Sequence, residues 1–176
     1  MKKGFTLVEM LVVIAILGIL MAMMVPAAGL ILKRAKIAQA KSDAGVVTTV
    51  MLKYQAEYNR WPGFYATEAE PHLTGKGWVD VMSPPPEQKT TNNDNVKRII
   101  FFSPGGGALG TADSNKGEFI DSWGNPFAYL VDQNQDGNII NPDPQKTGDL
   151  RARVIAWSAG PDGDYDTWED NVKSWE

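Results

Sequence analysis

The sequence predicts an α+β protein in which one long N-terminal helix packs on a small antiparallel β-sheet. Three observations predict it. The first is a run of 23 residues without a charge from Met10 to Leu32. The second is an apolar stripe that continues beyond it as Ile37, Ala40, Ala44, Val47, Met51, Tyr54 and Tyr58, spaced by three and four residues, which is one face of a helix. The third is a pair of β-branched and aromatic runs late in the chain, "FAYLV" at 127–131 and "RVIAWS" at 153–158.

A helix over Met10–Leu32 rises roughly 34 Å at 1.5 Å per residue, enough to cross the hydrocarbon of a bilayer. Lys2, Lys3 and the small residues near Ala27 and Ala28 also suit a cleaved secretory signal. Glu9 fits that alternative poorly, because an acid at the mouth of an apolar helix needs compensation. Two sources are available. The positive end of the helix macrodipole favours an acid in the first turn. If the chain is cut after Gly4, Phe5 also carries a new ammonium group one turn from Glu9 on the same face. Pro26 and Gly29, inside the run, predict a kink or a locally melted turn.

Beyond Lys33 the face opposite the stripe carries Lys36, Gln39, Asp43, Lys53 and Glu57, so residues 33–60 are expected to be an amphipathic helix half sunk in a globular domain, ended by Trp61-Pro62-Gly63. Residues 5–59 as one helix would rise roughly 80 Å, more than a small domain needs for its own core. Residues 62–97, with Pro71, Pro84-Pro85-Pro86 and "KTTNNDN", predict an irregular connection with short helical turns. "RIIFFS" at 98–103 reads as a buried strand or helix segment. Gly105, Gly107 and Gly110 satisfy a GxGxxG spacing, but "TADSNKG" follows with no helical stripe, so a loop is expected rather than a dinucleotide site.

Composition excludes several function classes. The 176 residues carry 17 basic and 21 acidic side chains and no basic block that could track a phosphate backbone, which argues against nucleic acid as the main partner. Cysteine is absent, which removes disulfides, thiolate nucleophiles and Cys-based zinc sites. A single His72 leaves little for acid–base catalysis, and no enzyme activity is expected.

Two acidic loops are candidate metal sites. Asp162, Asp164, Asp166, Glu169 and Asp170 follow one another with no Lys or Arg among them, and Ca²⁺ takes six to eight such oxygens. A solvated acidic loop is the alternative. In "DQNQDGNIINPD", Asp132, Asn134, Asp136, Gly137 and Asp143 fall at positions one, three, five, six and twelve of an EF-hand-like loop. Against that, Asp143 stands where a bidentate Glu is usual and Pro142 interrupts the exit, so the alternative is a polar turn stabilised by Asx side chains. Either ion would tie down a tail that has no disulfide.

Lys2-Lys3-Gly4, Phe5-Thr6-Leu7-Val8-Glu9 and the apolar helix containing Pro26 together resemble the leader of type IV pilins and pseudopilins. "YQAEYNRWP" resembles the helix end of major pseudopilins, Asp121-Ser122-Trp123-Gly124-Asn125-Pro126-Phe127 the D-x-W-G-N-P-aromatic block of the major pseudopilin of type II secretion systems, and "SAGPDG" through "DNVKSW" its C-terminal block. The resemblance covers residues 1–62 and 121–175.

It implies a type IV pilin-like fold with a cleaved leader at 1–4, a transmembrane and polymerisation helix at 5–32, and an extracytoplasmic α+β domain at 33–176. A prepilin peptidase would cut between Gly4 and Phe5 and methylate Phe5, and Glu9 would be the assembly residue, meeting the N-terminal ammonium of a neighbouring subunit. Structural calcium would be held by Asp162 and Asp170, with Asp164 and Asp166 between them; the second candidate, Asp132, Asn134 and Asp136, rests on its spacing alone.

The implied partners are further copies of the chain in a filament, minor pseudopilins, the inner-membrane assembly platform and membrane lipid. The implied location is the bacterial inner membrane, single-pass, with the C-terminal domain in the periplasm. Lys33, Arg34 and Lys36 follow the apolar run, so the positive-inside count alone does not favour that orientation, whereas the leader pattern does. The implied function is a structural subunit of a type II secretion pseudopilus; a type IV pilus subunit for adhesion, motility or DNA uptake is the alternative.

Overall fold

The computed structural model describes residues 4–63, 70–85 and 93–176; of 23–28 and Asn93 it describes the backbone alone. Met1–Lys3 of the expected leader therefore lie outside the described residues, whereas the backbone stays helical through Pro26 and Gly29, without the locally melted turn expected there. The elements are α1 (Leu7–Tyr58), β1 (His72–Leu73), α2 (Lys76–Met82), a 3-10 turn (Asn93–Asn95), β2 (Ala128–Val131), β3 (Val154–Ser158) and β4 (Val172–Lys173). The chain divides into two compact units, the first ending at Lys36 and the second running from Ile37 to Glu176.

The first unit has no core of its own. Every side chain described between Gly4 and Leu32 is exposed, with Leu7 at 81% and Ile31 at 67%. Among the described residues no helix is long and apolar enough to cross a membrane; the span expected over residues 10–32 takes in 23–28.

The second unit is built on a four-stranded antiparallel meander in the order β1-β2-β3-β4. Tyr129 pairs with Ala156 and Val131 with Val154, so these four share one face; Ala128, Leu130, Ile155 and Trp157 share the other. The first face packs against the later turns of α1, where Ala44, Val47, Met51 and Tyr54 are fully buried at the expected spacing, and against Trp78 and Met82 of α2. Ile37, at the start of the expected stripe, is 37% exposed instead. The second face packs against Ile139 and Trp168.

α1 stops at Tyr58 because Asn59 takes a left-handed conformation (φ 51°) and returns its N–H to the Gln55 carbonyl at 2.8 Å, three residues before Pro62. The buried Tyr54 hydroxyl donates to the Asp94 carbonyl at 2.5 Å, and burial pushes its pKa up to about 12. The expected strand or helix at 98–103 is not formed. The Asn95 side chain accepts from the Ile99 N–H and donates to the Ile99 carbonyl, and the N–H groups of Phe101 and Phe102 both go to the Met82 carbonyl. With those groups spent no ladder forms; Ile100 is 66% exposed and, of this stretch, only Phe102 is buried. The glycine-rich stretch is a loop as expected. Gly110 serves close backbone approach, since a Cβ there would lie 2.1 Å from the Asn115 carbonyl oxygen.

Candidate functional site

Gly4, Phe5 and Thr6 precede α1 outside any regular element, and Gly4 and Phe5 are exposed, Phe5 at 73%. Thr6 and Glu9 then close a reciprocal pair at the helix start. The Thr6 N–H and hydroxyl donate to Glu9 Oε2 at 2.8 and 2.7 Å, and the Glu9 N–H donates to Thr6 Oγ1 at 3.3 Å. This is a capping box. Its T-x-x-E signature stands in the sequence, and reasoning from the macrodipole and the new amine alone passes over it. The box ties one carboxylate oxygen of Glu9 to Thr6 and leaves Oε1 without a partner among the described residues. Chemically, the site offers an exposed peptide bond outside any regular element, followed within one helical turn by an anchored carboxylate.

The block at 121–127 forms a hub under the sheet. Asp121 is buried and its Oδ1 accepts from the Trp123 and Asn125 N–H groups, both at 2.9 Å, while its Oδ2 accepts from Ser158 Oγ of β3 at 2.5 Å. A carboxylate with three donors is well satisfied even when buried. Ser158 Oγ in turn accepts from the Gly160 N–H at 3.0 Å, which links the hub to the first acidic loop.

In that loop Asp162 Oδ1 accepts from the Asp164 N–H and Asp164 Oδ1 from the Asp166 N–H, two successive Asx turns. Thr167 Oγ1 donates to Asp162 Oδ2 at 2.5 Å, which holds the Asp162 pKa below the usual carboxylate value. The loop closes tightly. A Cβ at Gly160 would lie 2.5 Å from the Asp170 carbonyl oxygen. Asn171 Nδ2 donates to the Tyr165 carbonyl at 3.0 Å, but its Oδ1 is buried with no hydrogen-bond partner. Among the described residues, no three His, Cys, Asp or Glu side chains are gathered as a metal group. The orphaned Asn171 oxygen is nonetheless of the type a hard cation takes, so the donor set of this loop fits calcium better than its carboxylates alone do.

The second loop is organised differently. The buried Asp132 carboxylate accepts from the Asp136 N–H at 3.1 Å and the Gly137 N–H at 2.8 Å, and Asn134 Oδ1 also accepts from the Asp136 N–H, at 2.8 Å. The Asp136 carboxylate is exposed and its Oδ1 accepts from the Asn138 N–H. Asp143, at the twelfth position, is buried against Lys173 of β4, with Nζ 3.2 Å from Oδ2 and side-chain exposures of 7% and 4%. Lys173 also pairs with Glu176 and lies 5.6 Å from the Trp168 ring centre. An ammonium from the tail therefore sits where an EF-hand reading places part of a calcium shell. This ion pair joins residues 30 apart, and spacing gives no sign of it.

His72 opens β1, half-buried, and burial pushes its pKa down. It lies against the Tyr129 ring at 6.1 Å.

The family model described as the prokaryotic N-terminal methylation motif matches residues 1–25. A fimbrial protein of Neisseria meningitidis serogroup B is 38% identical over 63 residues, 36% of this chain and 37% of that protein. The type IV major pilin protein PilE1 of Neisseria gonorrhoeae is 37% identical over 62 residues, 35% of this chain and 38% of that protein. The fimbrial protein EcpC of Eikenella corrodens is 38% identical over 61 residues, 35% of this chain and 40% of that protein. The chain thus spans well under half the length of each relative it matches. No solved structure matches. The N-terminal third of the chain, with this motif at the head of α1, is thus similar to that of type IV pilins.

Replacing Lys173 by Met strands the buried Asp143 carboxylate. It should lower stability of the full chain by about 3–5 kcal/mol, whereas Lys173→Met combined with Asp143→Leu should recover most of the loss. Urea unfolding of the two variants beside wild type checks this; equal destabilisation of single and double variants would count against the pair.

Proposed function

We propose that the chain is a structural subunit of a membrane-assembled filament, processed between Gly4 and Phe5, methylated at Phe5 and polymerised through the first half of α1. The observation that carries this is the pairing of an anchored carboxylate at Glu9 with a helix whose described side chains to Leu32 are all exposed. Such a surface is stable only when covered by lipid or by copies of itself. Removal of the leader puts an ammonium on Phe5, immediately before the capping box, while Glu9 retains an oxygen for the amine of a neighbour. In a low-dielectric surrounding, each charge then neutralises the other.

The finer reading is a pseudopilin of a type II secretion system, with minor pseudopilins and an inner-membrane platform as partners and the second unit in the periplasm. The Asp121–Phe127 block supports it, since in this fold those residues form the hub that joins β2 to β3. The pilus reading has its own support, because the relatives carry the names of fimbrial and major pilin proteins. Deleting the chain should stop export of folded proteins to the medium if the first holds; lost surface fibres with normal export favours the second. In either machine Glu9→Ala should leave a processed chain in the membrane and abolish filaments seen by electron microscopy. Normal filaments from that variant contradict the assembly role.

Calcium at the first acidic loop belongs to the same reading. Asp162 and Asp170, with Asp164, Asp166 and the Asn171 side-chain oxygen, are the residues that would hold it, and the ion would supply the positive charge this loop lacks. Melting the full chain in EGTA and then in excess Ca²⁺ tests this. The expected result is a higher Tm with calcium, lost when Asn171 is changed to Leu; coincident curves contradict it.

A further inference from the structure

Within the second unit, one stripe of α1 and the glycine-rich loop line an open cleft of about 810 Å³. Asp43, Val46, Val50 and Lys53 follow one another at spacings of three, four and three, so all four stand on the cleft side of the helix. Phe101 adds apolar surface beside the two valines, and Gly105, Gly106 and Gly107 line the cleft from the loop. Sites of this size take small ligands or short lengths of chain.

The stripe ends in opposite charges. Asp43 and Lys53 are ten residues apart, about 15 Å along the helix at 1.5 Å per residue. Both oxygens of the half-buried Asp43 carboxylate accept from the one Gln39 amide, at 3.0 and 3.1 Å, which leaves acceptor capacity unused. Burial pushes its pKa up, Gln39 offsets part of that and the Asp121 charge adds to it, so the anion is held at a cost that a cation brought against it would reduce. Lys53 is exposed, and Glu57, the acid one turn further on, is taken by Lys97.

The glycines supply another kind of contact. Gly105 gives its carbonyl to the Ala108 N–H, whereas the N–H and carbonyl groups of Gly106 and Gly107 meet no backbone partner among the described residues. A wall without side chains lets another backbone approach closely, and unpaired main-chain groups are what an extended peptide pairs with when it adds itself to a protein.

We propose that this cleft binds an extended peptide segment of another protein, with a basic side chain at Asp43, an acidic one at Lys53 and an apolar one between them on Val46 and Val50. Alternate side chains of a strand share a face and residues rise about 3.3 Å, so positions one and five lie about 13 Å apart, and side-chain reach extends this to the separation of the two charges. The pattern recognised is basic-x-apolar-x-acidic, in either chain direction, with the main chain paired to Gly106 and Gly107. A sugar oligomer would also meet hydroxyl groups here, but it carries no opposite charges at that separation. Beyond its contacts with its own copies, the subunit would thus hold a contact for a partner polypeptide.

The test titrates the full chain in detergent micelles with a fluorescent, end-capped pentapeptide that has arginine, leucine and aspartate at positions one, three and five and serine at the others, with anisotropy as the readout and empty micelles as the blank. Wild type should bind the peptide above the blank. Asp43→Asn and Lys53→Gln should each weaken binding about fivefold, a difference that shrinks as salt rises. Gly106→Leu should abolish it; a Cβ there meets nothing within 4 Å, so the free protein accommodates the side chain that fills the cleft.

A wild-type chain that leaves the peptide free overturns the proposal, and so does binding that all three variants leave unchanged. If the peptide stays free while Gly106→Leu weakens cross-linking between copies of the chain, the cleft is a contact between subunits instead.

Discussion

The structure turns on an imbalance that one copy of the chain cannot correct. The described residues from Leu7 to Leu32 are all exposed, although they are mostly Leu, Ile, Val, Met and Ala. An exposed apolar patch much larger than a few hundred Å² marks a surface meant for another phase or another molecule. At its head stands one carboxylate, oriented by Thr6, and at its tail a group of cations. Hydrocarbon and a neighbouring amine would satisfy the first two features together, which is why the filament reading accounts for more of the molecule than a tethered domain does.

The second unit solves a separate problem, holding a short sheet and a loop-rich tail together without cysteine. One sheet face is sealed by α1 and α2 and the other by Ile139 and Trp168. The ends of the strands are fastened by buried polar groups. Asp121 takes donors from its own turn and from Ser158, Trp61 Nε1 donates to the Asp132 carbonyl at 2.7 Å, and Lys173 pairs with Asp143. Each is satisfied by a partner far away in sequence, so each couples the tail to the core, and the loss of one partner costs more than the contact itself contributes.

What was legible in the sequence follows the range of the interaction. The buried positions of α1 from Ala40 to Tyr54 and the strands β2 and β3 were readable because periodicity reports burial locally. β1 was not, since two residues become a strand only by pairing His72 with Tyr129. "RIIFFS" looked like a core segment because its composition is apolar, while the side chain of Asn95, three residues upstream of Arg98, decides its backbone. At the candidate site the T-x-x-E of the capping box lies in the same short motif that carries the expectation of cleavage and assembly. The ion pair between Lys173 and Asp143 was not, because nothing in the spacing of the second loop announces a cation supplied by β4.

Assembly through Glu9 requires an ammonium on Phe5. The direct measurement is intact mass, with N-terminal fragmentation, of the chain recovered from the membranes of a bacterium that processes such leaders. The account predicts loss of Met1 through Gly4 and one added methyl group on Phe5. A chain recovered with its first four residues still attached, in filaments or in a working export apparatus, would contradict it.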